Sequence, residues 1–188
     1  MNPTSTPALP ALSLQGRSAT TQTLAVLLGS LVLAASSQIS VPMFPVPMTM
    51  QTLAVTLIGA LYGWRLGVLT VLFWLAQAAF GLPVLASGTG GLHKFVGPTA
   101  GYLFAFPLAA ALTGWLAERG WNGRHVLRAF ASMLAGNVLC LLVGAAWLAL
   151  MVGAEKAILV GVAPFVLGAL LKSVLGAATL KAIELGRR

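Results

Sequence analysis

Aspartate is absent from the 188 residues, glutamate occurs only at Glu118, Glu155 and Glu184, and Cys140 is the sole cysteine. With His93 and His125 as the only histidines, no metal site built by the protein is expected, and no disulfide. No catalytic residue is expected either, because an intramembrane enzyme needs a nucleophile with a base and neither histidine has an obvious partner. The chain also lacks a Gly-x-x-x-x-Gly-Lys-[Ser/Thr] phosphate loop, so it cannot be its own ATPase. A basic, aromatic-studded face for nucleic acid is missing as well. No internal repeat is visible, which argues against a transporter of two inverted halves. Charge of either sign is scarce: 7% of residues are charged and 59% hydrophobic. A soluble globule carries roughly 25% charged residues. The chain therefore reads as an integral protein of the lipid bilayer.

Six apolar stretches approach the length of a span: Leu24–Ser40, Met50–Tyr62, Leu66–Phe80, Pro98–Leu116, Ala129–Val152 and Pro164–Ile183. The expected class is an all-α membrane protein with one six-helix domain over 21–188. It is preceded by a Pro-, Ser- and Thr-rich tail over 1–20 that reads as disordered. Leu24–Leu33 followed by Ala34-Ala35-Ser36 imitates a signal peptide, but its basic region is thin and more spans follow, so the first helix is taken as retained. An even number of spans puts both termini on one side. With that side cytoplasmic, the inner segments hold Arg17, Arg65, Arg119, Arg124, Arg128, Lys181, Arg187 and Arg188, and the outer loops hold only Lys94 and Lys156. Such an excess is the positive-inside bias of a multi-pass protein of the bacterial inner membrane. Val41–Thr49, Gly81–Gly97 and Gly153–Ala163 then share the outer face.

The outer segment from Gly81 to Gly101 sets Gly88, Gly90, Gly91 and Gly97 around the lone cation Lys94. Irregular backbone beside a membrane must find hydrogen-bond partners in protein, water or ligand. Glycines also let backbone N–H groups approach a bound molecule closely. The segment is either the wall of a small-molecule site or a plain solvated connection. Small residues four apart on the fourth span (Gly97, Gly101, Ala105, Ala109) and the fifth (Gly136, Cys140, Gly144) predict close helix packing. The first span carries a similar stripe of Ala25, Gly29, Ser30 and Ala34, suited to internal packing or to docking a second membrane protein.

The order of three segments resembles the BioY family, the substrate-binding S components of biotin transporters of the energy-coupling factor class. They are Gln38-Ile-Ser-Val-Pro-Met-Phe-Pro-Val-Pro-Met-Thr-Met-Gln-Thr52, then Gly81-Leu-Pro-Val-Leu-Ala-Ser-Gly-Thr-Gly-Gly91 with Gly97-Pro-Thr-Ala-Gly-Tyr102, then Pro164-Phe165 with Gly168 and Lys172. The likeness runs from about Thr23 to Ala182 in order and spacing. It implies a six-helix S-component fold whose outer loops close over one biotin. It further implies coupling to a transmembrane T subunit and two cytoplasmic ABC-type ATPases, with ATP bound only by those partners, and in some members a reduced set. No cofactor of its own is expected beyond the transported biotin.

Biotin presents a ureido ring that donates and accepts hydrogen bonds, an apolar body and a carboxylate, so its site needs matched polar groups between apolar walls. Lys172 lies about two turns inside the sixth span, where a charged lysine costs roughly 2.5–3.5 kcal/mol unless something satisfies it. It either snorkels to the interface or meets ligand, and the Gly-x-x-x-Lys likeness favours ligand. The resemblance implies an acid directly after Gly168, where this chain has Ala169. A substitute acceptor is sought among the backbone carbonyls of Ala86 and Gly88 and the amide of Gln51, with Ser87, Gly90 and Gly91 in the same loop. Lys94 is expected to meet the carboxylate, or else to be a solvated loop lysine. Thr49 and Gln51 either cap the second helix or line the pocket. Trp74, Tyr102 and Phe165 are expected to wall the apolar part. Asn137 and Gln77 are assigned to interhelical hydrogen bonds, and His93 to the surface.

Overall fold

The computed structural model describes Leu14 and residues 16–187. Seven α-helices carry the fold: α1 (Ala19–Gln38), α2 (Gln51–Tyr62), α3 (Trp64–Ala79), α4 (Ala100–Glu118), α5 (Val126–Val152), α6 (Ala154–Gly161) and α7 (Phe165–Leu185). The two-residue strands β1 (Ser40–Val41) and β2 (Met48–Thr49) form a hairpin between α1 and α2, with Ser40 opposite Thr49 and Val41 opposite Met48. Most of the tail expected over 1–20 falls outside the described residues, as does Arg188. Its last residues differ from expectation. Ser18 Oγ accepts from Thr21 N–H at 3.3 Å and starts α1 at Ala19, five residues before Leu24.

Among the described residues four helices, α1, α4, α5 and α7, are long and apolar enough to cross a membrane, and α2 and α3 are shorter apolar helices. The second and third stretches are separated by one residue, because Trp64 and Arg65 belong to α3. Gly63 makes that link at φ 82°, a left-handed conformation that costs other residues. The expected loop Gly153–Ala163 is largely helical as α6, which hydropathy alone left unmarked because the helix is short and carries Glu155 and Lys156.

Helix α4 sits at the centre and packs on α2, α3 and α5, while α7 closes against α5. Small residues set these distances. A Cβ on Gly101 would strike Trp147 of α5, one on Gly144 would strike the Tyr102 ring of α4, and one on Gly59 would strike Ala110. The stripes on α4 and α5 thus serve packing. The stripe on α1, Ala25, Gly29, Ser30 and Ala34, also packs within the chain, one of the two uses its spacing suits. Ala25, Gly29 and Ser30 are buried, Ala34 packs partly buried against the core, and a Cβ on Gly29 would come within 2.6 Å of Thr70 and 3.1 Å of Tyr62. Leu24, Leu27, Leu28, Leu31 and Val32 form the exposed face of α1 instead.

Both ends of the bundle are pinned by polar contacts. At one end Trp64 N–H donates to Glu118 at 3.2 Å, and Arg124 pairs with Glu184 at 3.2 Å. The other end carries the hairpin, α6 and the segment 81–99, and holds the cavity.

Candidate functional site

Irregular backbone in residues 81–99 finds its partners in the neighbouring helices. Ser37 Oγ donates to the Val84 carbonyl at 2.8 Å, and Trp74 Nε1 donates to the same carbonyl at 3.0 Å. Gln38 clamps the next turn from both sides: its Nε2 donates to Leu85 O at 3.1 Å and its Oε1 accepts from Gly88 N–H at 2.9 Å. Gly91, at φ 99°, sends its N–H to the Ala78 carbonyl at the end of α3, 2.6 Å away. Farther on, Trp147 Nε1 donates to Gly97 O at 3.0 Å.

Under this roof lies a cavity of about 330 Å³, within the roughly 300–1,000 Å³ typical of small-molecule sites. Of the expected site residues, Thr49, Gln51, Ala86, Ser87, Lys94, Tyr102, Phe165, Ala169 and Lys172 line it. Four do not, and each has a physical reason. Trp74 is fully buried behind the wall, its ring 5.9 Å from that of Phe106, which does line the cavity. Gly88 and Gly91 spend their N–H groups on Gln38 and Ala78. Gly90 is pressed against the Leu82 carbonyl, where a Cβ would not fit. The glycines fold the roof onto α1 and α3 and do not open it towards the cavity.

Lys172 is only 8% exposed. Its Nζ donates to the Thr49 carbonyl and to Thr52 Oγ1, each at 2.9 Å, so the ammonium turns inward to the start of α2 and does not snorkel. Two neutral oxygens hold two of its three donors. Thr49 Oγ1 accepts from Gln51 N–H at 3.3 Å and donates to Gln51 Oε1 at 2.9 Å, so one hydroxyl takes up the first N–H of α2 and fixes the glutamine amide. Tyr102 donates to Gly161 O at 2.8 Å, with its ring 6.4 Å from Phe165, tying α4 to the end of α6 and the start of α7. Thr52, His93, Asn137 and Cys140 also line the cavity and were missed as lining residues. Thr52 had a signal in hindsight, being one turn from Thr49 beside the Lys172 ammonium. His93 had only its neighbour Lys94.

The cavity therefore joins a cation at its helical side, a second cation at its loop side and amide, hydroxyl and aromatic groups between them. It can bind a small molecule with an anionic end and a polar ring.

A sequence model of the BioY family matches residues 7–187. The chain belongs to the BioY family. A biotin transporter BioY of Rhizobium etli is 36% identical over 155 residues, covering 79% of this chain and 83% of that protein. A probable biotin transporter BioY of Pyrococcus horikoshii is 39% identical over 120 residues, covering 64% and 69%. The crystal structure at 2.1 Å of the S-component for biotin from an ECF-type ABC transporter superposes with a TM-score of 0.77 at 22% identity, covering 90% of this chain and 95% of that one. This BioY chain accordingly has the S-component fold, and it is not an enzyme.

Proposed function

We propose that the chain is the biotin-capturing membrane subunit of a vitamin importer. The observation that carries this reading is Lys172: a nearly buried ammonium, held by two neutral oxygens, facing a cavity that shares its wall with Lys94. A ligand that supplies polar acceptors satisfies both cations, and biotin has a ureido carbonyl for one and a carboxylate for the other. Tyr102 and Phe165 suit its apolar body.

The chain crosses the inner membrane six times with both termini in the cytoplasm, α2 and α3 acting as short spans. The asymmetry of Lys and Arg supports this orientation, which turns the cavity outward to receive biotin. Transport energy comes from a transmembrane T-type subunit and two ABC-type ATPases. The alanine at 169 favours a second reading, in which the S component takes another vitamin.

Equilibrium binding of labelled biotin to the purified chain in detergent tests the proposal. Saturable binding, displaced by unlabelled biotin and not by riboflavin or thiamine, is expected. No saturation, or displacement by another vitamin, would overturn biotin as the ligand. Orientation is read separately with Lys156→Cys in a Cys140→Ala background, where an impermeant maleimide should react from outside the cell.

A further inference from the structure

A cyclic urea needs acceptors for its ring N–H groups, and Ala169 supplies no side-chain acceptor. Of the substitutes expected from sequence, two already accept one hydrogen bond each and the third lies outside the lining. Gln51 Oε1 accepts from the Thr49 hydroxyl, which takes one of its two lone pairs. The Ala86 carbonyl accepts from Thr89 Oγ1 at 2.8 Å, and Gly88 lies outside the lining.

Asn137 of α5 is different. Its Nδ2 donates to the Met133 carbonyl at 3.0 Å and to Ser173 Oγ at 3.2 Å. Ser173 in turn donates its single hydroxyl proton to Ala169 O at 2.7 Å, so towards Asn137 it can only accept. Both partners of the amide are therefore acceptors. A flipped amide would set carbonyl oxygen against two acceptors, which fixes the orientation chemically. Oδ1 remains. Among the described residues no donor is bonded to it, it is not among the sealed and unsatisfied atoms, and Asn137 lines the cavity although only 2% exposed. The anchor Ser173 adjoins Lys172, so a fixed acceptor and an ammonium project from the same turn region of the α5–α7 contact.

We propose that Asn137 Oδ1 accepts a ring N–H of the cyclic urea while Lys172 donates to its carbonyl, which makes Asn137 a specificity-determining residue. The inference rests on the reading that this cavity binds biotin. An acceptor held in place by two further hydrogen bonds loses little freedom when ligand arrives, and a buried acceptor left without a donor penalises ligands that lack the N–H.

The test compares biotin with biotin methylated at one or the other ring nitrogen, in wild type and in Asn137→Ala. Wild type should bind biotin and prefer it over one of the methylated forms. Asn137→Ala, with an unchanged melting profile, should bind biotin about tenfold more weakly and lose most of that preference. An undiminished preference in Asn137→Ala would overturn the inference while leaving biotin binding intact. Failure of wild type to bind biotin at all would instead remove the functional reading. Should Asn137→Ala not fold, Ser173→Ala releases one anchor of the amide, and the preference should shrink several-fold. An unchanged preference there would overturn the inference equally.

Discussion

On the loop side, the cavity is walled by residues 81–99, tied to α1 and α3 by side-chain hydrogen bonds of Ser37, Gln38 and Trp74 and by the Gly91 N–H. On the helical side, Asn137, Ala169 and Lys172 project from inside continuous helices whose spacing is set by small residues such as Gly136 and Gly144. Backbone hydrogen bonds within a helix open only together with the packing around it, whereas a side-chain clamp opens one bond at a time. The helical wall should therefore determine how tightly ligand is held, and the roof how fast it leaves.

The largest expected effect tests the helical wall. Lys172→Ala removes a charged donor, and hydrogen bonds to charged groups contribute about 1.5–3 kcal/mol. Biotin affinity should fall about ten- to a hundredfold in equilibrium binding. Lys172→Arg should not restore it, because a planar guanidinium cannot reproduce the compact ammonium held by Thr49 O and Thr52 Oγ1. Wild-type affinity in a folded Lys172→Ala protein would erase the distinction between the two walls.

A smaller effect tests the roof. Trp74→Phe keeps an aromatic ring beside Phe106 and deletes the hydrogen bond to Val84 O, a loss of about 0.5–1.5 kcal/mol. Stopped-flow measurement should show biotin leaving several-fold faster with its association rate little changed. Equal changes in both rates would mean that the roof is as rigid as the bundle. Gln38→Ala should act in the same direction.

The smallest effect concerns Lys94, which is half-buried at the loop side. A partly solvated charge contributes about 0.2–1 kcal/mol, so Lys94→Ala should weaken biotin by about two- to fivefold at most. Raising the salt concentration should abolish the difference from wild type, since screening reaches solvated charges first. A salt-independent loss would move Lys94 into the same class as Lys172.

The long helices α1, α4, α5 and α7 were legible in the sequence because an apolar run of span length is stable almost nowhere but in a bilayer. Lys172 was legible for the converse reason, a charge where charge is costly. What could not be read was the direction each helix faces. A soluble helix shows its buried side by polarity, but in a bilayer the outer face is as apolar as the core, so periodicity carries little information. The α1 stripe illustrates this, since small residues suit an internal contact and a partner equally well until Tyr62 and Thr70 are seen against Gly29. Trp74 failed for the same reason, as an aromatic in a span reads alike whether it walls a cavity or stands behind it. Asn137 was assigned to interhelical bonds, and its Nδ2 makes one, to Ser173 of α7. Its carbonyl end depended on the proton of Ser173, a detail no spacing encodes.

The ammonium of Lys172, held without an acid beside it, also bears on how the protein behaves on the bench. A ligand that brings acceptors to this buried charge binds the folded chain and not the unfolded one, so occupancy shifts the unfolding equilibrium in favour of the fold. At a hundredfold excess over Kd that linkage amounts to about 2.7 kcal/mol. A thermal melt in detergent thus becomes a label-free reporter of what the cavity accepts, and candidate vitamins can be ranked by the temperature at which the chain gives way.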